Sequence, residues 1–380
     1  MKKKVCFVAT LELSVKVFLT GHMRYLQDRY DLTLIVNTAN TLFLEPFDIR
    51  ARVIPVKIER SISPGSDLRS LFELYGILRR EKFDIVHSIM PKSGFLSMLA
   101  GLAARIPVRV HTFTGQVWKN QTGLKRAFFK LMDKVIALCA TNILVDSPSQ
   151  REYIIGEGVV GRQKSRVIGE GSICGVDTEK FRFDRDARVR IRAEYGFRDA
   201  DTVFFYLGRM KKDKGVLDLA RAFTGLCDKY SHARLLIAGP DEEDMAGKVR
   251  EICAKYPDRT RILDFTDAPE KYLSAADVLC LPSYREGFGQ VIAEAAATGL
   301  PSIGSRIYGI IDTINDGVTG FLFEPGSHFD LMLKMGRFLD DPSLVKSMGE
   351  EARANALRKY SKEKVVSGMF EYYRELERSP

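Results

Sequence analysis

The chain has 380 residues, 45% of them hydrophobic, and a formal charge of +9. That length favours two domains, each able to bury a sizeable core, and no apolar run approaches the ~20 residues that a membrane-spanning helix needs. The six cysteines (Cys6, Cys139, Cys174, Cys227, Cys253 and Cys280) are scattered without a CxxC pair. Reduced packing residues in a cytoplasmic protein are therefore expected, not a disulfide framework or a zinc site.

Met1-Lys2-Lys3-Lys4 followed by apolar residues mimics a signal peptide, but Glu12 arrives so soon that Val5–Ala9 reads as a first buried strand. A helix is expected over Val17–Asp28, strands over Leu32–Val36 and Val53–Val56, a helix over Leu68–Arg80 and a strand over Ile85–His87. A helix at Gly94–Ala104, a strand at Arg109–Thr112, a long helix at Leu124–Ala140 and a strand at Asn142–Val145 follow. Around the long helix, Lys119, Lys125, Arg126, Lys130 and Lys134 interleave with Leu124, Phe128, Phe129, Leu131 and Met132. This pattern suits a helix lying on anionic lipid, and equally a surface helix with its apolar face in the core.

The pattern restarts after the polar stretch Asp177–Asp201, within which Arg182–Arg192 reads as a solvated linker face. Strands are expected at Val203–Leu207, Leu235–Ala238, Ile262–Phe265, Val278–Leu281 and Pro301–Gly304. Helices are expected at Gly215–Tyr230, Met245–Tyr256, Gln290–Thr298, Phe329–Leu339, Pro342–Lys359 and Lys362–Leu376. Strands alternating with helices imply parallel βαβ units, so the fold class is α/β with two doubly wound, Rossmann-like halves. Ligands of such sheets sit at the carboxyl ends of the strands, and two facing halves would leave a cleft for a small molecule.

Two loops carry chemistry. After the strand Val278–Leu281, Glu286 stands in a turn with Gly287, Phe288 and Gly289, and Glu294 lies inside the helix that opens there. Glycines let a ligand approach the backbone, and the helix start offers unpaired N–H groups and a positive dipole end. Such a corner can hold an anion and keep two carboxylates for hydroxyls, which describes a sugar nucleotide. After the strand Val203–Leu207 comes Gly208-Arg209-Met210-Lys211-Lys212-Asp213-Lys214-Gly215. Arg209 can grip phosphate oxygens bidentately and Lys214 adds a point charge, although a plain polar loop would carry the same lysines.

The two motifs together resemble those of retaining glycosyltransferases of the GT-B fold, family 4. That family's Gly-Arg-x-x-x-x-Lys-Gly loop is matched by Gly208 to Gly215, and its Glu, seven residues, Glu pattern by Glu286 and Glu294. Its Asp-Gly-x-Thr-Gly-(Phe/Leu)-Leu loop is matched by Asp316 to Leu322, and its hinge by Gly175-Val176-Asp177 with Phe181. Pro91-Lys92-Ser93-Gly94 and Val110-His111-Thr112 are similar to segments of capsule and O-antigen enzymes.

The resemblance implies domains at 1–175 and 176–361, with the last helix, 362–380, packing back on the first. It implies that Arg209 and Lys214 hold the donor diphosphate and offset charge on the leaving group, that Gly208 is among the donor-binding residues, and that Glu286 binds hydroxyls of the donor sugar. By the same resemblance the N–H groups of Gly287, Phe288 and Gly289 contact sugar and phosphate, Glu294 takes the ribose hydroxyls, and His111 touches the donor sugar. No metal at the catalytic centre and no cofactor are implied. The donor would be a nucleoside-diphosphate sugar, a UDP-sugar favoured over a GDP-sugar, and the acceptor a lipid-linked (polyprenyl diphosphate) or other glycan. The setting would be cytoplasmic, on the inner face of the plasma membrane. Two departures stand out: Thr10–Val15 lacks the family's glycine pair, with Ser14 as a polar substitute, and Glu170 replaces a usual Asn.

Other motifs carry less. Gly156–Gly161 matches a dinucleotide fingerprint by letters but follows a helical stretch, so it is rejected. Asp199-Ala200-Asp201 and Asp184-Arg185-Asp186 have DxD spacing but lie in the polar linker. His87 also ends a strand, while His22, His232 and His328 read as surface or helix histidines. A same-fold epimerase or phosphorylase is the alternative enzyme. A basic nucleic-acid-binding protein is the non-enzyme alternative, disfavoured because no aromatic stacking platform or recognition motif is present.

Overall fold

The computed structural model describes residues 2–378. The chain divides into two compact units, residues 1–175 with 362–380 and residues 176–361. Ser379 and Pro380, the end of the expected last helix, lie outside the described residues.

The first unit opens with β1 (Lys4–Leu11), α1 (Glu12–Phe18), α2 (Thr20–Leu26), β2 (Asp31–Asn37), β3 (Arg52–Pro55) and α3 (Pro64–Glu81). It continues with β4 (Ile85–Ile89), α4 (Pro91–Ala103), β5 (Val108–Phe113), α5 (Gly123–Cys139), β6 (Asn142–Val145), α6 (Pro148–Gly156) and β7 (Ser165–Arg166). Its seven-stranded sheet runs β3-β2-β1-β4-β5-β6-β7, and every pairing is parallel. The central strands are buried along almost their whole length, His87 and Ser88 of β4 included, because helices cover both faces.

The second unit contains α7 (Arg185–Tyr195), β8 (Thr202–Leu207), α8 (Val216–Cys227), β9 (Ala233–Ala238), α9 (Met245–Ile252), β10 (Thr260–Leu263) and α10 (Pro269–Ala275). Then come β11 (Val278–Leu281), α11 (Gln290–Thr298), β12 (Ser302–Ser305), β13 (Gly320–Phe323), α12 (His328–Asp340) and α13 (Ser343–Lys359). Its parallel six-stranded sheet has the order β10-β9-β8-β11-β12-β13. The chain winds outward from β8 in one direction and returns to begin the other at β11. β8 and β11 therefore flank the switch point, where ligands of such sheets bind. The last helix, α14 (Lys362–Arg378), belongs to the first unit, and its Tyr373 hydroxyl meets His87 Nδ1 at 2.7 Å.

Several expectations need correction. The single helix expected over Val17–Asp28 is two, α1 and α2, with Leu19 between them. The stretch read as a solvated linker is largely helix α7, capped by Asp184 at its start and by left-handed Gly196 at its end. Its Arg192 is only 2% exposed and meets Asp277 at 2.5 Å and the carbonyls of Ala275 and Asp201 at 2.9 and 3.0 Å. A fully paired guanidinium can be buried, so charge content misreads this helix. His22 lies on helix α2 as expected, but it is buried, with Nε2 2.6 Å from the Ile173 carbonyl. Strands β7 and β13 and helix α10 were not anticipated, being too short to show a period. All six cysteines are free thiols.

Candidate active site

The loop after β8 and the loop after β11 meet at the switch point of the second sheet. Gly215 carries them together: its φ is +70°, and a Cβ there would fall 2.0 Å from the Pro282 carbonyl oxygen. Only glycine permits that approach. The Tyr284 N–H donates to the Asp213 carbonyl at 2.9 Å, and Arg285 pairs with the Asp213 carboxylate at 3.1 Å. Across this seam Lys214 Nζ reaches Glu286 Oε1 at 2.6 Å, and the Ser283 hydroxyl donates to the same oxygen at 2.7 Å.

Gly289 sits at φ +70° as the N-cap of α11. Among the described residues, no hydrogen bond engages the N–H groups of Gly287, Phe288 or Gly289. They form, with the helix start, an array of donors beside Glu286. The Phe288 ring is buried against Tyr360, 5.0 Å between centroids, so only the backbone of Phe288 is available to a ligand. Glu294 lies farther along α11. Burial raises its carboxyl to about 7, opposed by a 3.4 Å hydrogen bond from Gln290.

Arg209 is not joined to this carboxylate. Its Nη1 lies 3.1 and 3.3 Å from the two oxygens of Glu242, in the loop after β9. Glu242 was not anticipated; the signal for it is the acidic run Asp241-Glu242-Glu243-Asp244 directly beyond a strand end. Gly208 packs beneath: a Cβ on Gly239 would meet the Gly208 carbonyl oxygen at 2.0 Å.

In the first unit His111, on β5, is fully buried. Its Nδ1 lies 2.8 Å from the Ser88 hydroxyl, its ring meets Phe113 edge-on at 4.6 Å, and its Nε2 has no hydrogen-bond partner among the described residues. Burial drops its pKa to about 3, so the ring is neutral. His87 is also neutral but fully used, by Tyr373 and by Thr112 at 2.8 Å. The Thr10 hydroxyl donates to that of Ser93 at 3.3 Å, and Ser14 is buried in α1. Glu170 is exposed. Asp201 of the DxD-like pair is consumed by Arg198 and Arg234 at 2.9 and 3.2 Å.

Residues 187–355 match the family model "Glycosyl transferases group 1" and residues 15–171 the model "Glycosyl transferase 4-like domain". The chain belongs to the GT-B glycosyltransferases of family 4. Among relatives, the capsular polysaccharide biosynthesis glycosyltransferase CapM of Staphylococcus aureus is 29% identical over 363 residues, covering 94% of this chain and 93% of CapM. The UDP-Gal:alpha-D-GlcNAc-diphosphoundecaprenol alpha-1,3-galactosyltransferase of Escherichia coli is 29% identical over 354 residues, covering 90% and 86%. The solved structure of Anabaena HepE with UDP and glucose superposes with a TM-score of 0.81 at 17% identity over 98% of this chain and all of that one, which establishes the shared fold. This GT-B protein is thus a glycosyltransferase.

Proposed function

We infer that the protein is a retaining glycosyltransferase that moves a sugar from a UDP-sugar to a lipid-linked glycan acceptor. The observation that carries this reading is the Lys214–Glu286 pair beside three unengaged N–H groups at the start of α11. A departing nucleoside diphosphate gains negative charge, so fixed positive groups act most strongly in the transition state. Arg209, Lys214 and the start of α8 at Gly215 supply them, with Gly208 giving the backbone room. Glu286 accepts hydroxyls of the transferred sugar, the Gly287, Phe288 and Gly289 N–H groups donate to sugar and phosphate, and Glu294 takes the ribose diol. His111 offers its unpartnered Nε2 to a substrate hydroxyl. No metal or cofactor is part of this scheme. The Glu286 carboxylate is engaged by Lys214 and Ser283, so attack and departure are assigned to one face, with the leaving phosphate taking the acceptor proton. The uridine assignment draws on the names of relatives and neighbours that use UDP-sugars or bind UDP.

The setting is the inner face of a membrane carrying the acceptor. Helix α5 presents Leu124 (91% exposed), Phe128, Leu131 and Leu138 (78% exposed) outward, with Lys125 and Lys134 beside them. Arg126 and Lys130 do not share this duty: both pair with Glu157, at 2.9 and 2.5 Å, and lie over the Trp118 ring. An apolar stripe with lysines and no exposed carboxylate of its own suits anionic lipid. No helix among the described residues is long and apolar enough to cross a membrane.

The test is product analysis with a UDP-sugar and a synthetic polyprenyl diphosphate-linked sugar. An α-linked product from an α-linked donor, with UDP released only when acceptor is present, supports the reading. An inverted anomeric centre refutes retention, and UDP release with epimerised free sugar favours the epimerase alternative.

A further inference from the structure

The guanidinium assigned to the donor diphosphate already has an anionic partner. Glu242 faces Arg209 with both carboxylate oxygens, and Lys211 stands 3.8 Å away. The loop that carries Glu242 is fastened to the loop that carries Arg209. The Glu242 N–H donates to the Met210 carbonyl at 3.1 Å, and the Met210 N–H donates to the Pro240 carbonyl at 2.8 Å. Asp241 accepts the N–H groups of Met245 and Ala246 at 2.8 and 2.9 Å, which pins the far side of the loop to the start of α9. Glu243 accepts the Lys212 N–H at 3.0 Å and pairs with Lys211 at 3.4 Å. The backbone is thus held beside Arg209, which keeps the Glu242 carboxylate close to the guanidinium.

A carboxylate and a diphosphate both accept the N–H groups of a guanidinium and therefore compete for it. We propose that Glu242 is an internal competitor for the donor diphosphate, exchanged for phosphate when the donor binds and returning to Arg209 as the nucleoside diphosphate leaves. The proposal rests on Arg209 holding the diphosphate. The Arg209 and Glu242 side chains are 35% and 28% exposed, so the ion pair is weak enough to exchange. Its effect falls hardest on the released product, whose retention would otherwise slow turnover. A carboxylate that merely pre-orients Arg209 would act with the opposite sign.

Calorimetric titration with UDP and with uridine decides between them, on the parent, Glu242→Gln, Arg209→Ala, the double variant, and Asp258→Asn as a control for loss of an exposed negative charge. Glu242→Gln is expected to bind UDP about three- to fivefold more tightly with uridine unchanged, Asp258→Asn to match the parent, and the gain to vanish in the Arg209→Ala background. Unchanged or weaker UDP binding by Glu242→Gln, an equal gain in Asp258→Asn, or a gain that survives without Arg209 overturns the proposal. Arg209→Ala binding UDP as well as the parent, or a parent that does not bind UDP, overturns instead the donor assignment beneath it.

Discussion

Lys214 Nζ stands 2.6 Å from Glu286 Oε1, although 72 positions separate the two residues in the chain. Both side chains are largely enclosed, at 15% and 17% exposure, so neither can lose the other without cost. Lys214→Met and Glu286→Gln are each expected to destabilise the second unit by about 1–3 kcal/mol, because each strands a desolvated group. The double variant should cost less than the sum of the singles. Urea denaturation of the four proteins checks this; strict additivity would mean that the pair is not coupled.

Gly94, at the start of α4, is read from the residue it faces. A Cβ there would lie 2.3 Å from His111 Cε1 and 2.6 Å from Nδ1. The ring cannot retreat easily, since Ser88 and Phe113 hold it. Gly94→Ala is expected to cost about 1–3 kcal/mol through overpacking and to disturb the His111 imidazole resonance in NMR. A stable variant with an unmoved imidazole signal would show that the ring is free to shift.

Glu294 makes donor binding depend on pH. Its folded carboxyl titrates near about 7, above the unfolded value, because burial disfavours the charge. The stability it contributes is therefore fully present below the unfolded pKa and is lost as pH rises through about 7. Binding runs the other way, since the ribose hydroxyls need the ionised acceptor. Affinity for a UDP-sugar, whose esterified diphosphate keeps its charge there, should rise by up to about tenfold from about pH 6 to about pH 8. Glu294→Gln should flatten the profile, and a slope that persists in that variant would assign it elsewhere.

How far the letters alone carried the fold depended on how local each element's reason is. Asn142–Val145, Val278–Leu281 and Gln290–Thr298 appear with the bounds their apolar runs and glycine flanks suggest. The corner of Glu286, Gly287 and Gly289 was legible because a strand end, a glycine pair and a helix start stand next to one another. Helix α7 was not, because Arg192 is made tolerable in the interior by Asp277, 85 positions later. The partner of Arg209 was hidden for the same reason: nothing near Arg209 in sequence points to Glu242, 33 positions on. The long basic helix was only half legible, since its cations divide between a half-buried pairing with Glu157 and an exposed stripe.

That stripe has its own test. Co-sedimentation with vesicles of phosphatidylcholine, with and without added phosphatidylglycerol, should show binding only when the anionic lipid is present. Leu124→Ser with Leu131→Ser should reduce the bound fraction severalfold while leaving the melting temperature nearly unchanged, since both side chains are already in water. Equal binding to neutral vesicles, or no effect of the double substitution, would remove α5 from the membrane contact.

The most direct test of the central claim, that the Lys214–Glu286 corner grips the donor, is the steady-state rate of sugar transfer by Glu286→Gln and Lys214→Ala at saturating acceptor. Both are expected to fall by about 100-fold or more, as for removal of a group that meets charge or hydroxyls in the transition state, while circular dichroism shows the fold intact. Folded variants that transfer sugar at the parent's rate would contradict the account.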